Sequence, residues 1–132
     1  MNLAWLTEEV EEVSQGYARR HEINRDSTWF LLKLQEEVGE LTQAFLMRSG
    51  QARSKGCTVQ EIEERFRSEL ADVLCHVLLL ARHHGVDVEE AIERKWLVWR
   101  PDRAAAVSQP SGEVADGGGD PSGANPMLER DV

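Results

Sequence analysis

The sequence predicts an all-α fold: a four-helix, bundle-like domain at residues 1–101, with an antiparallel central helix pair and a disordered tail at residues 102–132. Apolar residues recur every three or four positions through the first hundred residues, and strand-like alternation is absent. The tail contains five Gly and three Pro, and its six acidic and two basic side chains give a net charge of −4. Such a segment cannot bury enough apolar surface to fold.

The first two helices are predicted from apolar periodicity and from one capping signal. The first helix is expected to run from about Leu3 to His21. The second is expected to begin at the cap formed by Asp26 and Ser27 and to reach about Ser49. Their apolar stripes, which we expect to face the core, are Leu6, Val10, Val13 and Tyr17 in the first helix and Leu31, Leu34, Val38, Leu41 and Phe45 in the second.

The third and fourth helices are marked by their start signals. Thr58 and Glu61 form a capping-box pattern, and Gly85 is a good residue to end the third helix. Asp87 opens a fourth helix that is expected to end at Pro101. The short connection before Thr58 contains two Gly and favours an antiparallel arrangement of the second and third helices. The apolar stripe of the third helix is Ile62, Phe66, Leu70, Val73, Val77 and Leu80.

Charge and composition exclude several classes of protein. The 132-residue chain carries a formal net charge of −9 and has no run of Lys or Arg, which argues against binding to nucleic acid or to anionic membranes. The longest apolar run, residues 77–81, is far too short to span a bilayer, and the N-terminus does not resemble a signal peptide. Cys57 and Cys75 lack CxxC or zinc-ligand spacing. A cytoplasmic protein is therefore expected.

Five carboxylates are expected at one level of the bundle. Glu36, Glu37 and Glu40 occupy an arc of about 100° on the second helix, and Glu69 and Asp72 lie one turn apart on the third. In an antiparallel pair, position 40 faces about position 69 and position 37 faces about position 72. Both pairs then lie roughly 14 Å from the turn.

A layer of five carboxylates needs protons or cations. Two like charges about 5 Å apart repel by roughly 3 kcal/mol at an effective dielectric constant near 20. Oxygen ligands favour hard ions, Mg²⁺ or alternatively Mn²⁺, over zinc. A solvated acidic face would explain the glutamate run by itself, but it does not explain the matching positions on the third helix. A di-iron bundle would need Glu-x-x-His pairs, whereas Asp72 and His76 are four residues apart.

The acidic motifs resemble those of a known family. Glu36-Glu37-x-x-Glu40 is followed, after 28 residues, by Glu69-x-x-Asp72. This pattern resembles the EExxE…ExxD signature of the MazG-like nucleotide pyrophosphohydrolases, which are part of the all-α NTP pyrophosphatase superfamily. The surrounding segments KLQEEVGELTQAF and SELADVL are also similar to that family, and the similarity covers about residues 29–99.

The resemblance implies an activity and a set of ligands. It implies Mg²⁺-dependent hydrolysis of nucleoside triphosphates between the α- and β-phosphates, giving the monophosphate and pyrophosphate, and a role in clearing unwanted (d)NTPs. Carried over by position, the metal ligands are Glu37, Glu40, Glu69 and Asp72. Glu36 is then an outer ligand or the base that orients the attacking water, so that Glu36 and Glu37 are the catalytic pair. The family also implies a homodimer or homotetramer, and four Trp residues fit such an interface.

For the residues that could contact the substrate, the sequence leaves alternatives open. Lys33 is either an ion-pair partner of the glutamates or a phosphate ligand, and Trp29 either stacks on a base or packs in the core or an interface. His76 either supports a ligating carboxylate or is a structural histidine. Lys95 and Arg100 remain available to the phosphates, although the ending KWLVWRP lacks an Asn that the family often has. That departure favours the alternative function, a non-catalytic nucleotide- or metal-binding helical dimerisation or regulatory module.

Overall fold

A computed structural model of the chain describes residues 1–102, and these residues are all-helical with connecting loops, as predicted. Residues Met1–Val98 form one compact unit, and a second unit begins at Trp99. The predicted tail lies outside the described residues, apart from Asp102. Within residues 1–102, no helix is both long enough and apolar enough to cross a membrane.

Four α-helices and one short 3₁₀-helix follow one another within residues 1–100. They are α1 (Leu3–Arg20), α2 (Ser27–Arg48), α3 (Val59–His83), α4 (Val88–Lys95) and the 3₁₀-helix Leu97–Trp99. The predicted fourth helix is therefore too long, because α4 ends at Lys95 and its C-cap is Trp96.

The predicted caps of α2, α3 and α4 are present. The side chain of Asp26 accepts a hydrogen bond from the backbone N–H of Trp29 at 2.7 Å, and Thr58 and Asp87 do the same for the residue three positions later. These bonds satisfy N–H groups that have no partner within the helix. Gly85 follows α3 with a φ of +65°, a conformation that glycine adopts without strain.

Helices α2 and α3 pack as the predicted antiparallel pair. At one end Ser27 Oγ lies 3.1 Å from His83 Nε2, and at the other end Arg48 forms an ion pair with Glu63. Helix α1 packs on α3, where the guanidinium of Arg82 donates to the Glu8 carboxylate. The buried apolar residues between the helices are Ala18, Phe30, Ala44, Met47, Leu78 and Leu79.

The predicted core stripe of α2 is partly wrong. Leu34 and Leu41 are half-buried. Leu31, Val38 and Phe45 are 48%, 38% and 47% exposed, whereas the arc about 100° around the helix, which carries Phe30 and Glu37, is buried. The apolar stripes predicted for α1 and α3 are also partly exposed. In α1, Val13 and Tyr17 are exposed, and in α3, Leu70 is exposed. The helix pair therefore packs through a face that includes acidic residues and leaves an apolar face uncovered within residues 1–102.

A buried ion pair fixes the start of α2 against α1. Glu11 is 5% exposed, and both of its carboxylate oxygens accept hydrogen bonds from Arg25, at 2.6 and 3.1 Å. Gln15 donates a third hydrogen bond at 2.8 Å. The hydrogen bonds from Arg25 hold the pKa of Glu11 below its usual range, against the opposing effect of burial. This pair positions α1 beside the acidic layer described next.

Candidate metal centre

Three carboxylates from the two central helices converge in the interior. Glu37 and Glu40 of α2 and Glu69 of α3 each contribute one oxygen to a group in which all three atoms lie within 4.8 Å of one another. Glu37 is 8% exposed and Glu69 is 9% exposed, while Glu40 is half-buried. The antiparallel pairing brings positions 40 and 69 to one level, as the helix geometry predicts.

The electrostatic environment disfavours negative charge on this group. Burial raises the pKa of Glu37, and the neighbouring charge of Glu40 raises it further, while Lys33 acts in the opposite direction. Burial also raises the pKa of Glu69, with additional contributions from Glu40 and Asp72. Both shifts have the same physical cause, because carboxylates that are withdrawn from water and placed near like charges are harder to ionise.

The group fits a divalent cation. Glu69 Oε2 is buried and has no hydrogen-bond partner among the described residues, which is a costly state for a carboxylate oxygen. The donor set consists of carboxylate oxygens alone, which suits Mg²⁺ or Mn²⁺ better than zinc. A cation between these oxygens would compensate both the mutual repulsion and the unpaired atom.

Asp72 and Glu36 lie at the edge of this group. Asp72 is exposed, and its charge contributes to the raised pKa of both Glu37 and Glu69. The side chain of Glu36 is 54% exposed and pairs with Lys33, whose Nζ lies 3.2 Å from Glu36 Oε2. The structure therefore brings three of the five predicted carboxylates into one group and places the other two beside it.

A cavity of about 490 Å³ opens between α1, α2 and α3. Glu37 and Asp72, two of the five carboxylates of the predicted motif, form part of its wall. Its volume lies within the range of small-molecule sites. The lining residues are Glu9, Val10, Val13, Ser14 and Tyr17 from α1, Trp29, Lys33 and Glu37 from α2, and Asp72, Cys75, His76 and Leu79 from α3. The wall thus combines apolar and aromatic groups with a few polar groups next to the carboxylates.

Lys33 and His76 both approach Glu37. Lys33 Nζ lies 3.7 Å and His76 Nε2 lies 3.8 Å from Glu37 Oε1. Burial acts to lower the pKa of Lys33, but Glu36 and Glu37 together raise it above its usual value. Burial, reinforced by the charge of Lys33, lowers the pKa of His76. His76 also contacts the ring of Trp29, with centroids 6.3 Å apart. The histidine therefore lies beside Glu37, in surroundings that disfavour its charged form.

Comparison with known proteins matches part of the chain to a family. The model of the MazG-like family matches residues 34–98, a segment that includes all five acidic residues of the predicted motif. Residues 34–98 belong to the MazG-like family. At the level of the family, membership indicates nucleotide pyrophosphohydrolase activity that is typically metal-dependent. No curated protein and no solved structure matches the chain.

The MazG-like match does not include every predicted substrate residue. Trp29 and Lys33 precede the matched segment but line the cavity. Lys95 lies within the matched segment, at the end of α4, where it is exposed and is not part of the cavity wall. Arg100 follows the segment in the second unit, where it pairs with Asp102 at 3.2 Å.

Sequence analysis missed three residues near the site of this MazG-like chain. Tyr17 and Cys75 line the cavity, although Tyr17 was predicted to lie in the core. Arg65 lies beside the acidic group, with its Nε 3.9 Å from Glu69 Oε1. The spacing of four between Arg65 and Glu69 could have identified this contact, because it is the same helical spacing that links Lys33 to Glu37.

Proposed function

We propose that this MazG-like protein is a Mg²⁺-dependent nucleoside triphosphate pyrophosphohydrolase, with Mn²⁺ as a possible substitute. It would cleave the bond between the α- and β-phosphates of (d)NTPs and release the monophosphate and pyrophosphate, as a nucleotide-pool cleaning enzyme of the cytoplasm. The observation that carries the proposal is the group of Glu37, Glu40 and Glu69 oxygens within 4.8 Å, together with the buried Oε2 of Glu69, which has no hydrogen-bond partner within residues 1–102. Family membership supports the same reaction class.

In this proposal the acidic residues have two roles. Glu37, Glu40, Glu69 and Asp72 would hold the metal, which when bound neutralises their charge and polarises phosphoryl oxygens. Glu36 stands at the solvent edge of the group, and we assign to it the orientation of the attacking water and the acceptance of its proton. Glu37 belongs to both sets, as a ligand and as a catalytic residue.

The cavity is proposed to hold the nucleoside part of the substrate. Trp29 offers an aromatic face to the base, and the ammonium of Lys33 stands between the cavity and the carboxylates, where it can reach a phosphate. Lys95 and Arg100 are proposed to add positive charge for the phosphates in the assembled protein. Apolar walls from α1 would exclude water from the base.

We further propose that a second copy of the chain covers the exposed apolar face, giving a homodimer or homotetramer. Leu31, Val38 and Phe45 of α2 follow one another at intervals of seven, and Leu70 and Leu74 of α3 are 46% and 48% exposed. Apolar residues at such intervals are typical of helices that pack against a partner helix. The net charge of −9 argues against nucleic acid or a membrane as the partner.

A panel of NTPs and dNTPs with Mg²⁺ tests the activity. We expect pyrophosphate as the product and no orthophosphate, and Glu37→Gln should abolish turnover while the helical circular dichroism signal is retained. Glu64→Gln is the matched control, because Glu64 is an exposed residue of α3 outside the acidic group. Release of orthophosphate alone, or full activity of Glu37→Gln, would refute the proposal. Tight nucleotide binding without product over hours would instead support the non-catalytic module.

A further inference from the structure

Arg65 differs from the other arginines that form ion pairs in the main unit. Arg25, Arg48, Arg82 and Arg94 each approach a carboxylate oxygen to 2.9 Å or less, and Arg67 approaches one to 3.3 Å. The nearest carboxylate contact of Arg65 is the 3.9 Å separation of its Nε from Glu69 Oε1, and its Nη1 donates to Met47 Sδ at 3.8 Å. Its side chain is 40% exposed. Within residues 1–102 the guanidinium therefore retains N–H groups without a hydrogen-bond partner, and these can bind an anion next to the acidic group.

The position of Arg65 along α3 is as informative as its contacts. Arg65 precedes Glu69 by four residues, a rise of about 6 Å toward the connection between α2 and α3. The residues of α3 that line the cavity, Asp72, Cys75, His76 and Leu79, all follow Glu69. Helix α2 runs antiparallel to α3, and its cavity residues Trp29 and Lys33 precede Glu37. On both helices the cavity residues therefore lie on the same side of the acidic group. The acidic group thus separates the cavity from Arg65.

We propose that Arg65 binds the β- and γ-phosphates of the substrate and the pyrophosphate that they become. This inference rests on the proposed function, in which the scissile bond between the α- and β-phosphates lies at the acidic group. A nucleoside in the cavity then directs its distal phosphates past the carboxylates, toward Arg65. A guanidinium donates two parallel hydrogen bonds to phosphate oxygens, a geometry that an ammonium cannot provide. A cation bound to Glu69 would also weaken its ion pair with Arg65 and release the arginine.

Binding of pyrophosphate tests this assignment without requiring turnover. Isothermal titration with Mg²⁺ present would compare wild type, Arg65→Gln and the control Arg67→Gln. Arg67 lies on the same helix with a side chain 75% exposed and pairs with Glu63, away from the acidic group. We expect Arg65→Gln to weaken pyrophosphate binding about tenfold to a hundredfold, the usual effect of losing a charged hydrogen bond. Binding of the nucleoside monophosphate, and the behaviour of Arg67→Gln, should be unchanged.

A purely structural role for Arg65 gives a different result. If Arg65 served only as the counter-charge of Glu69, its removal would tighten Mg²⁺ binding and leave pyrophosphate affinity unaltered. Arg65→Lys keeps the charge but loses the planar fork, so its pyrophosphate affinity should fall between those of wild type and Arg65→Gln, which also guards against misfolding of one variant. Equal affinity in all variants, an equal loss in Arg67→Gln, or no pyrophosphate binding by the wild type would overturn the assignment. Binding that depends on Arg65, without turnover of any nucleotide, would support the assignment and refute the proposed function.

Discussion

Replacing Glu69 by Gln should stabilise the protein without metal and destabilise it with metal. The glutamine keeps the shape of the side chain and removes one charge from a group whose oxygens lie within 4.8 Å of one another. At that separation and an effective dielectric constant of 20, each pair of charges repels by about 3 kcal/mol. The nearby cations Lys33 and Arg65 offset some of this repulsion. We therefore expect the free energy of unfolding to rise by about 2 kcal/mol at pH 8, or the melting temperature by roughly 10 °C.

The pH dependence of this effect has a defined sign. The pKa of Glu69 is raised from its ordinary value of 4.5 in the folded protein, because burial and the neighbouring carboxylates disfavour its charged form. A raised pKa contributes stability that is fully present below the unfolded value and is lost as the pH rises through the folded value. Wild type without metal should therefore lose stability as the pH increases above 4.5, and Glu69→Gln should lose less.

Excess Mg²⁺ should reverse the order of the two proteins. At a concentration a hundred times its dissociation constant, a ligand stabilises the folded state by about 2.7 kcal/mol, and Glu69→Gln forfeits most of this gain. Urea unfolding followed by circular dichroism, in EDTA and in excess MgCl₂, measures both effects, with Glu64→Gln as the control. The reasoning would be refuted if Glu69→Gln were less stable than wild type in EDTA, or if Mg²⁺ stabilised it as much as it stabilises Glu64→Gln.

Three further predictions concern other parts of the molecule. Arg25→Met should lower the free energy of unfolding by about 2 kcal/mol in urea titrations, because it removes two charged hydrogen bonds from the buried Glu11 and leaves it with Gln15 and the more distant Arg82; a loss below about 0.5 kcal/mol, the usual size of a surface effect, would contradict this. Val38→Glu should reduce the mass measured by light scattering to that of one chain while preserving helicity, and an unchanged mass would exclude this face as the interface. Trp29→Ala should raise KM for nucleotides about tenfold, the loss expected from one stacking contact, and should leave Mg²⁺ affinity unchanged; equal changes in both would indicate a general structural role for Trp29.

Helix starts could be predicted from sequence because their determinants are local. Asp26, Thr58 and Asp87 each cap an N–H group three residues away, so the signal and the bond lie within one turn. The end of the last helix could not be predicted in the same way. No glycine or asparagine directly follows Lys95 to mark it, and the C-cap Trp96 fits either a helix or a tight turn.

The core-facing side of α2 was predicted wrongly for a physical reason. Hydrophobic periodicity identifies an apolar stripe but not the surface that it packs against. On α2 the stripe through Leu31 and Val38 is the more regular of two candidate faces, and the arc that is buried carries Glu37 among Phe30 and Ala44. A single chain contains no signal that separates a stripe for its own core from a stripe for a partner.

The acidic group was predictable in part because the spacing of residues along a helix fixes the height and the direction of their side chains. The antiparallel pairing was sufficient to place Glu40 opposite Glu69, whereas Glu36 is rotated by about 100° from Glu37 and lies on the exposed side. The cavity could not be predicted, because its third wall is α1. The position of α1 depends on tertiary contacts such as the ion pair between Glu11 and Arg25, which are 14 residues apart.

Helix α2 thus departs twice from the usual arrangement of a globular protein, because Glu37 is buried at 8% exposure while Leu31 and Val38 are 48% and 38% exposed. The buried carboxylate and the exposed apolar residues each lower the stability of an isolated chain without metal. In each case a binding partner would restore the stability. A cation offsets the repulsion inside, and a second copy would bury the apolar residues outside. If both occur, the two binding events stabilise the same helix pair, so metal binding and chain association should strengthen one another. The buried carboxylates and the exposed apolar face are the two sites at which the proposed function requires binding. Residues that lower the stability of a protein are expected at such functional sites.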